Sequence, residues 1–339
     1  MPLFTIRDST PSAVGLAKAA LDSPRLAAKR NVEYFSLTSK SILNRCSSAR
    51  MPFTWTINPY RGCEFGCKYC YARYTHEYLG MEESAQFEEK IYSKESASEI
   101  LKGELHKGPK GAIAIGTATD PYQPAERQFR TTRGILETLA QFRGLRVSIT
   151  TKSDLVLRDL DLLRELVRDN ELQVNITITT LRVELARCLE PRAPRPDLRL
   201  AAVAAIAQAG IPSAVFAMPV LPAITDHPRD LEAVARAAAR AGACYFALNP
   251  LFLMPSAQKA FFPFLEEQFP HLVAKYRHLY ARGAYLSGQY KARMQALAEQ
   301  LRVKYGLTGC QHEYSPEAFA PTQQLQLFPT RNDAEVLHR

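Results

Sequence analysis

Between residues 54 and 250 two hydrophobic patterns alternate. Short runs of β-branched or apolar residues, most bounded by Gly, Pro or Asp, read as strands: TWTINPY (54–60), AIAIG (112–116), RVSIT (146–150), VNITITT (174–180), SAVFAMP (213–219) and CYFALN (244–249). Between them apolar residues return at helical spacing. In 131–143, Ile135, Leu136, Leu139 and Phe142 share one face. In 158–169, Leu160, Leu163, Leu166 and Val167 form the stripe, with Arg158, Asp161, Arg164 and Glu165 off it. Segments 198–209 and 228–241 are Ala-rich and helical, and Gly210 and Gly242 stand where C-terminal caps belong. Six strands alternating with helices predict an α/β fold of parallel β/α units. Right-handed crossovers would wrap these units into a partial (β/α)6 barrel of the TIM type. Ligands in such sheets sit at the C-terminal ends of strands, so the chemistry is sought just past each strand.

The flanks follow other patterns. Residues 1–45 are mixed and basic with few periodic apolar positions, which predicts a partly mobile leader before a core over 46–255. From about 257, Phe261, Phe262, Phe264, Phe269, Leu272, Tyr276, Leu279 and Tyr280 predict helices covering the barrel's open side. A further helix over 290–304, through Met294, Leu297 and Leu301, completes a C-terminal helical extension of 256–315. Beyond it, 316–339 turns polar and Pro-containing, the composition of a flexible tail.

Hydrophobic residues make up 46% of the 339, enough for a sizeable core. No run approaches the roughly 20 apolar residues of a bilayer span, and the N-terminus lacks the compact apolar stretch of a secretion signal. Seven cysteines, three of them within eight residues, do not suit a secreted disulfide framework, so a cytoplasmic protein is expected. The formal net charge of +9 favours polyanionic partners, although a generally basic surface accounts for it as well.

The chemistry concentrates in NPYRGCEFGCKYCYAR, residues 58–73. Closely spaced thiolates on a loop can reach several irons of one cubane, and three ligands leave the fourth iron open. Cys63, Cys67 and Cys70 are that set, and Gly62 and Gly66 let the loop curl with no Cβ in the way. The alternative is a zinc site completed by His76; such sites usually show paired C-x₂-C knuckles, and no second pair exists. Cys46, Cys188, Cys244 and Cys310 are scattered and read as core or surface thiols.

C-x₃-C-x-aromatic-C after a first strand resembles the signature of radical S-adenosylmethionine enzymes, and the resemblance runs from about Pro52 to Pro250. It implies a 4Fe–4S cluster on Cys63, Cys67 and Cys70. The open iron would bind S-adenosylmethionine, and reductive cleavage would yield a 5′-deoxyadenosyl radical. It also implies that Tyr69 packs beside the adenine, and that an electron donor such as flavodoxin or ferredoxin is needed.

Further strings resemble spore photoproduct lyase and its relatives: CYAR at the cluster, GTATDPYQPAE, TTKS, LEPRAP and MPVLPAITD after successive strands. Within them Thr117, Thr119 and Asp120 offer polar groups suited to the cofactor's ammonium, and Lys152, with Ser153 beside it, offers a cation for its carboxylate. Thr177 and Thr179 share one face of the fourth strand, from which one could reach the cofactor's polar end or ribose. Tyr71 matches a tyrosine that the lyase places beside its radical-transfer path, which implies a catalytic role. Where that resemblance calls for a hydrogen-donating cysteine, this chain has Thr117, whose O–H bond is too strong to replace a thiol. A lyase-like reaction on damaged DNA is therefore expected without the lyase's own hydrogen-donor route.

QLQLF (324–328), followed by Pro329, resembles the peptide by which bacterial repair proteins dock on the DNA polymerase III sliding clamp. In an extended tail, Gln324 would hydrogen-bond at the groove's rim while Leu325, Leu327 and Phe328 supply the apolar part of the motif. Other readings are radical modification of RNA, a peptide or a small molecule, and a non-catalytic iron–sulfur or clamp-binding protein.

Overall fold

The computed structural model describes residues 13–29, 31–48 and 51–309. Its first strands are β1 (Arg25–Lys29), β2 (Val32–Leu37), β3 (Asn44–Arg45), β4 (Trp55–Ile57), β5 (Tyr60–Arg61) and β6 (Lys90–Lys94). They are followed by β7 (Ile113–Ile115), β8 (Arg146–Thr151), β9 (Glu171–Thr177), β10 (Ser213–Val220) and β11 (Tyr245–Pro250). One sheet runs in the order β11-β10-β9-β8-β7-β4-β3. The six strands from β4 to β11 pair in parallel, and β3 adds an antiparallel edge on β4. This is the expected α/β, partial TIM-type arrangement. Parallel strands are covered on both faces, which is why their residues read as near-continuous apolar runs.

Ile57, Ile115, Ile149, Val174, Ile176, Val215 and Phe246 from the strands share the main core with residues of the outer helices. The helices Thr131–Leu139 and Leu160–Asp169 supply Ile135, Leu136, Leu139, Leu163 and Leu166, the stripes predicted from spacing. Each such side chain, fully buried, contributes about 1.5–3 kcal/mol. Helices Pro196–Gln208 and Pro228–Arg240 begin on proline, whose fixed φ suits a first helical position. Gly210 and Gly242 follow their C-termini with φ of +73° and +80°, as left-handed caps require.

Two features depart from the sequence pattern. The run expected as one strand over 54–60 divides: β4 stays in the barrel, Asn58 and Pro59 break it, and β5 joins a second sheet of order β1-β2-β6-β5. Proline cannot donate to a ladder, so a strand ends there readily. The N-terminal stretch expected as leader supplies, within its described part, a helix (Ala13–Leu21) and strands β1 to β3. Its strand β2 pairs with β6, more than fifty residues later, a partnership that no local period announces.

The helices Pro255–Gln268 and Val273–Leu279 bury Phe261, Phe264, Leu265 and Tyr276 in one cluster with Cys63, Phe65, Cys67 and Tyr69, so they cover the cysteine end. The helix Gly288–Tyr305 instead packs Met294, Ala298 and Leu301 into the main core beside β11. Cys46 and Cys188 are free thiols, whereas Cys244, read from the sequence as a plain thiol, is disulfide-bonded. Among the described residues no helix is long and apolar enough to cross a membrane. The QLQLF motif lies outside the described residues.

Candidate functional site

The cysteine loop begins where β5 hands over from the second sheet. Gly62 adopts φ +80°, and a Cβ there would lie 2.7 Å from the Lys90 carbonyl and 2.8 Å from that of Phe87, so only glycine fits. The loop's backbone is then held from every side. Cys63 N–H donates to the Phe87 carbonyl (2.9 Å) and Lys68 N–H to that of Leu189 (3.0 Å). Thr119 Oγ1 (2.6 Å) and Gln123 Nε2 (3.0 Å) donate to the Gly62 carbonyl, and Gln123 Oε1 accepts from Glu64 N–H (3.0 Å). Arg73, buried after the third cysteine, donates to the Cys67 carbonyl (3.2 Å) and ion-pairs with Glu88 (2.7 Å). A loop so anchored fixes the backbone that carries the three thiols.

Cys63 and Cys67 are buried, Cys70 half-buried, and all three are free. Burial raises each thiol. Asp120 and the other two thiols raise Cys63 further, and Cys67 is pushed up to about 12 although Lys152 opposes the shift. Three crowded thiolates in such surroundings need a strongly cationic centre, which an iron–sulfur core supplies. Among the described residues no three His, Cys, Asp or Glu side chains converge as ligands of one ion would. A cubane takes one thiolate on each of three irons and needs no such convergence. His76 is committed elsewhere: Nε2 meets the Lys90 carbonyl at 2.9 Å, the ring lies against Phe87 and Tyr92, and burial lowers its pKa to about 4. The donor set therefore fits the cluster better than zinc.

The residues expected at the cofactor lie on neighbouring strand ends. Lys152 is half-buried after β8, its Nζ 5.9 Å from the centre of the Tyr69 ring. Burial works against its charge, but Cys67, Glu190 and Asp120 outweigh burial and raise its pKa. Asp120 accepts from Thr151 Oγ1 (2.6 Å), Lys152 N–H (2.7 Å) and Tyr122 N–H (2.9 Å). Burial still raises its pKa against those bonds. Thr117 meets Asn58 at 3.1 Å, and its carbonyl accepts from the Tyr71 hydroxyl. That bond joins the third-cysteine segment to the loop after β7. Thr119 is occupied with the cysteine loop, and Ser153 Oγ caps the following turn by accepting from Leu155 N–H (3.2 Å). Thr177 is buried, its carbonyl held by Arg199 at 3.1 Å.

Four contributors escaped the sequence reading. Asn58 Oδ1 accepts from Ala118 N–H at 2.7 Å, fixing the loop after β7 to the end of β4. Gln123 braces the cysteine loop as described. Glu190, in LEPRAP, accepts from the Tyr69 hydroxyl and pairs with Arg199 at 2.6 Å, both side chains at most 1% exposed. Burial opposes ionisation of Glu190, yet Arg199, Lys152 and the Tyr69 hydroxyl hold its carboxyl below the usual range. A charged residue inside the Ala-rich 198–209 segment was the one available hint of Arg199.

Comparison with known proteins bears on the family and the fold. The family described as the radical SAM superfamily matches residues 57–236, more than half of the chain. An uncharacterised protein of Mycobacterium tuberculosis is 35% identical over 298 residues, covering 87% of each chain. One of Methanocaldococcus jannaschii is 33% identical over 172 residues, 51% of this chain and 62% of that one. Among solved structures, spore photoproduct lyase complexed with a dinucleoside spore photoproduct superposes with TM-score 0.61 at 15% identity, over 89% of this chain and 84% of that one. A doubly substituted mutant of that lyase, with bound AdoMet and the same dinucleoside, gives 0.57 at 16% identity, over 75% and 74%. At these identities the structural likeness speaks for the fold alone. With the three free cysteines on their braced loop and the family match across the barrel, the chain belongs to the radical SAM superfamily.

Proposed function

We propose that this radical S-adenosylmethionine enzyme acts on DNA, in a lyase-like repair of a damaged base. Its cofactors are a 4Fe–4S cluster and S-adenosylmethionine, which together supply a 5′-deoxyadenosyl radical able to abstract hydrogen from a substrate. Cys63, Cys67 and Cys70 would hold the cluster. Lys152, beside Tyr69 and Cys67, is suited to hold the cofactor's carboxylate by a charge-assisted bond. The loops that fasten the cysteine segment, together with the aromatic helices over it, restrict water at the cysteine end. Tyr71, hydrogen-bonded to the Thr117 carbonyl, is the residue proposed to act on the substrate side.

The observation that carries the DNA reading is a set of four exposed arginines, one of them (Arg195) paired with Asp197, on a connection tied to the cysteine loop. Arg182, Arg187, Arg192 and Arg195 are all exposed on the connection after β9, the connection that also carries Glu190. The same stretch is tied to the cysteine loop through Lys68 N–H to the Leu189 carbonyl and Arg192 N–H to that of Phe65. Exposed cations on a connection next to a site suit a substrate with a phosphate backbone. Spore photoproduct lyase, whose fold this chain shares, was solved with a dinucleoside photoproduct. The sequence QLQLF adds docking on the DNA polymerase III sliding clamp through Gln324, Leu325, Leu327 and Phe328, a tether that would raise local enzyme concentration on DNA.

The deciding experiment is anaerobic incubation of reconstituted enzyme with S-adenosylmethionine, reductant and ultraviolet-damaged DNA, with damaged RNA in parallel, followed by mass spectrometry of the nucleosides. Loss of a damaged base from DNA supports the proposal. Release of 5′-deoxyadenosine with both polymers unchanged would redirect the search to peptides or small molecules.

A further inference from the structure

The Glu190–Arg199 pair is the least economical feature of the cysteine end. Two charges buried together lose more hydration than their attraction returns in many proteins, so such a pair is weak evidence for stability. This one is heavily connected. Arg199 Nε donates to the Pro194 carbonyl (2.7 Å) and Nη1 to the Thr177 carbonyl (3.1 Å), while the guanidinium approaches Glu190 Oε2 at 2.6 Å. Glu190 Oε1 accepts from Thr179 Oγ1 (3.0 Å) and from the Tyr69 hydroxyl. Arg199 thus binds the end of β9, the LEPRAP loop and its own helix into one block. Tyr69 is the partner from outside that block, and it stands between Cys67 and Cys70.

We infer that Glu190, held by Arg199, is a positioning residue for the cofactor site, fixing the Tyr69 ring between two cluster ligands and thereby the surface that Lys152 faces. The geometry gives the reason for ring and hydroxyl together. A phenylalanine at 69 would pack equally well but could pivot, whereas a tyrosine tethered to a buried carboxylate keeps one orientation. The Lys152 ammonium lies 5.9 Å from that ring's centre, so a displaced ring would also displace the cation meant for the cofactor. A carboxylate suits the task because a hydrogen bond to a charged acceptor is about twice as strong as a neutral one.

The test is binding of S-adenosylmethionine to anaerobically reconstituted protein by equilibrium dialysis, with iron content, thermal stability and the electron paramagnetic resonance spectrum of the reduced cluster alongside. Tyr69→Phe removes only the hydroxyl and leaves the ion pair intact. It should keep iron and stability near the starting protein, raise the cofactor Kd roughly ten-fold, and diminish the spectral change on adding cofactor. Glu190→Gln should weaken binding similarly, and the double variant should bind no worse than the weaker single one, since both cut the same link. Should Glu190→Gln fail to fold, Tyr69→Phe alone decides. Cofactor affinity within two-fold of the starting protein in Tyr69→Phe, or effects that multiply fully in the double variant, would overturn the inference and leave the pair a fastening of the core.

Discussion

Thr119 Oγ1 donates a 2.6 Å hydrogen bond to the Gly62 carbonyl, tying the loop after β7 to the turn that opens the cysteine loop. Gln123 reaches the same carbonyl and also the Glu64 N–H, so two nearby peptide units of the loop are held by one buried amide. The polar string after β7 therefore serves as scaffold for the thiols as much as a candidate contact for the cofactor.

Truncating that brace should loosen the loop. Gln123→Ala strands the Glu64 N–H, which costs about 1–3 kcal/mol when left unsatisfied, and leaves the Gly62 carbonyl with Thr119 as its remaining side-chain donor. Urea denaturation should show a loss of that order, and reconstituted protein should retain less iron after gel filtration.

The two loop glycines should respond differently. Gly62→Ala combines a left-handed conformation with backbone oxygens under 3 Å from the new Cβ, and should cost more than about 2 kcal/mol. Gly66 has φ +64° but no atom nearer than 3.7 Å, so Gly66→Ala should cost only the conformational share, about 1–2 kcal/mol. Denaturation midpoints of the two variants check the order.

Replacing any of Cys63, Cys67 or Cys70 by Ala should abolish release of 5′-deoxyadenosine and most of the bound iron, both measured after anaerobic reconstitution. A folded preparation with one zinc and no iron would reject the cluster.

Metal-free protein should lose stability in alkali. The fold prefers the protonated Cys67 thiol, so its contribution is complete below the ordinary thiol value near 9 and is lost as pH rises from there toward 12. Melting temperature of the apoprotein should fall over that window, and less so in Cys67→Ala. At the acid side His76 acts with the opposite sign. Kept neutral by burial, it favours folding above its ordinary value of 6.5, and that share is lost as pH falls toward 4.

Lys152 and Tyr71 should divide binding from turnover. Lys152→Ala should weaken S-adenosylmethionine binding by about 1.5–3 kcal/mol, the worth of a charge-assisted hydrogen bond. Tyr71→Phe should leave cofactor cleavage intact and disturb only later substrate steps, seen as 5′-deoxyadenosine formed without matching product.

Local pattern was enough to recognise the barrel strands and their covering helices, because a buried strand or an amphipathic helix writes its period into a few consecutive residues. The cysteine spacing was equally legible, since three ligands on one short loop need no distant partner. What lay beyond reach was pairing across long separations. Strand β2 finds β6 more than fifty residues on, and the Tyr69 hydroxyl finds Glu190 across 121 residues. Neither partner carries a local mark of the other. Even within LEPRAP, Glu190 reads as an ordinary polar loop residue until the helix carrying Arg199 is packed beneath it. Chain composition thus determined which elements form and which thiols gather. Which charges are buried together, and which side chains brace the loop, was decided only when tertiary packing removed water from around them.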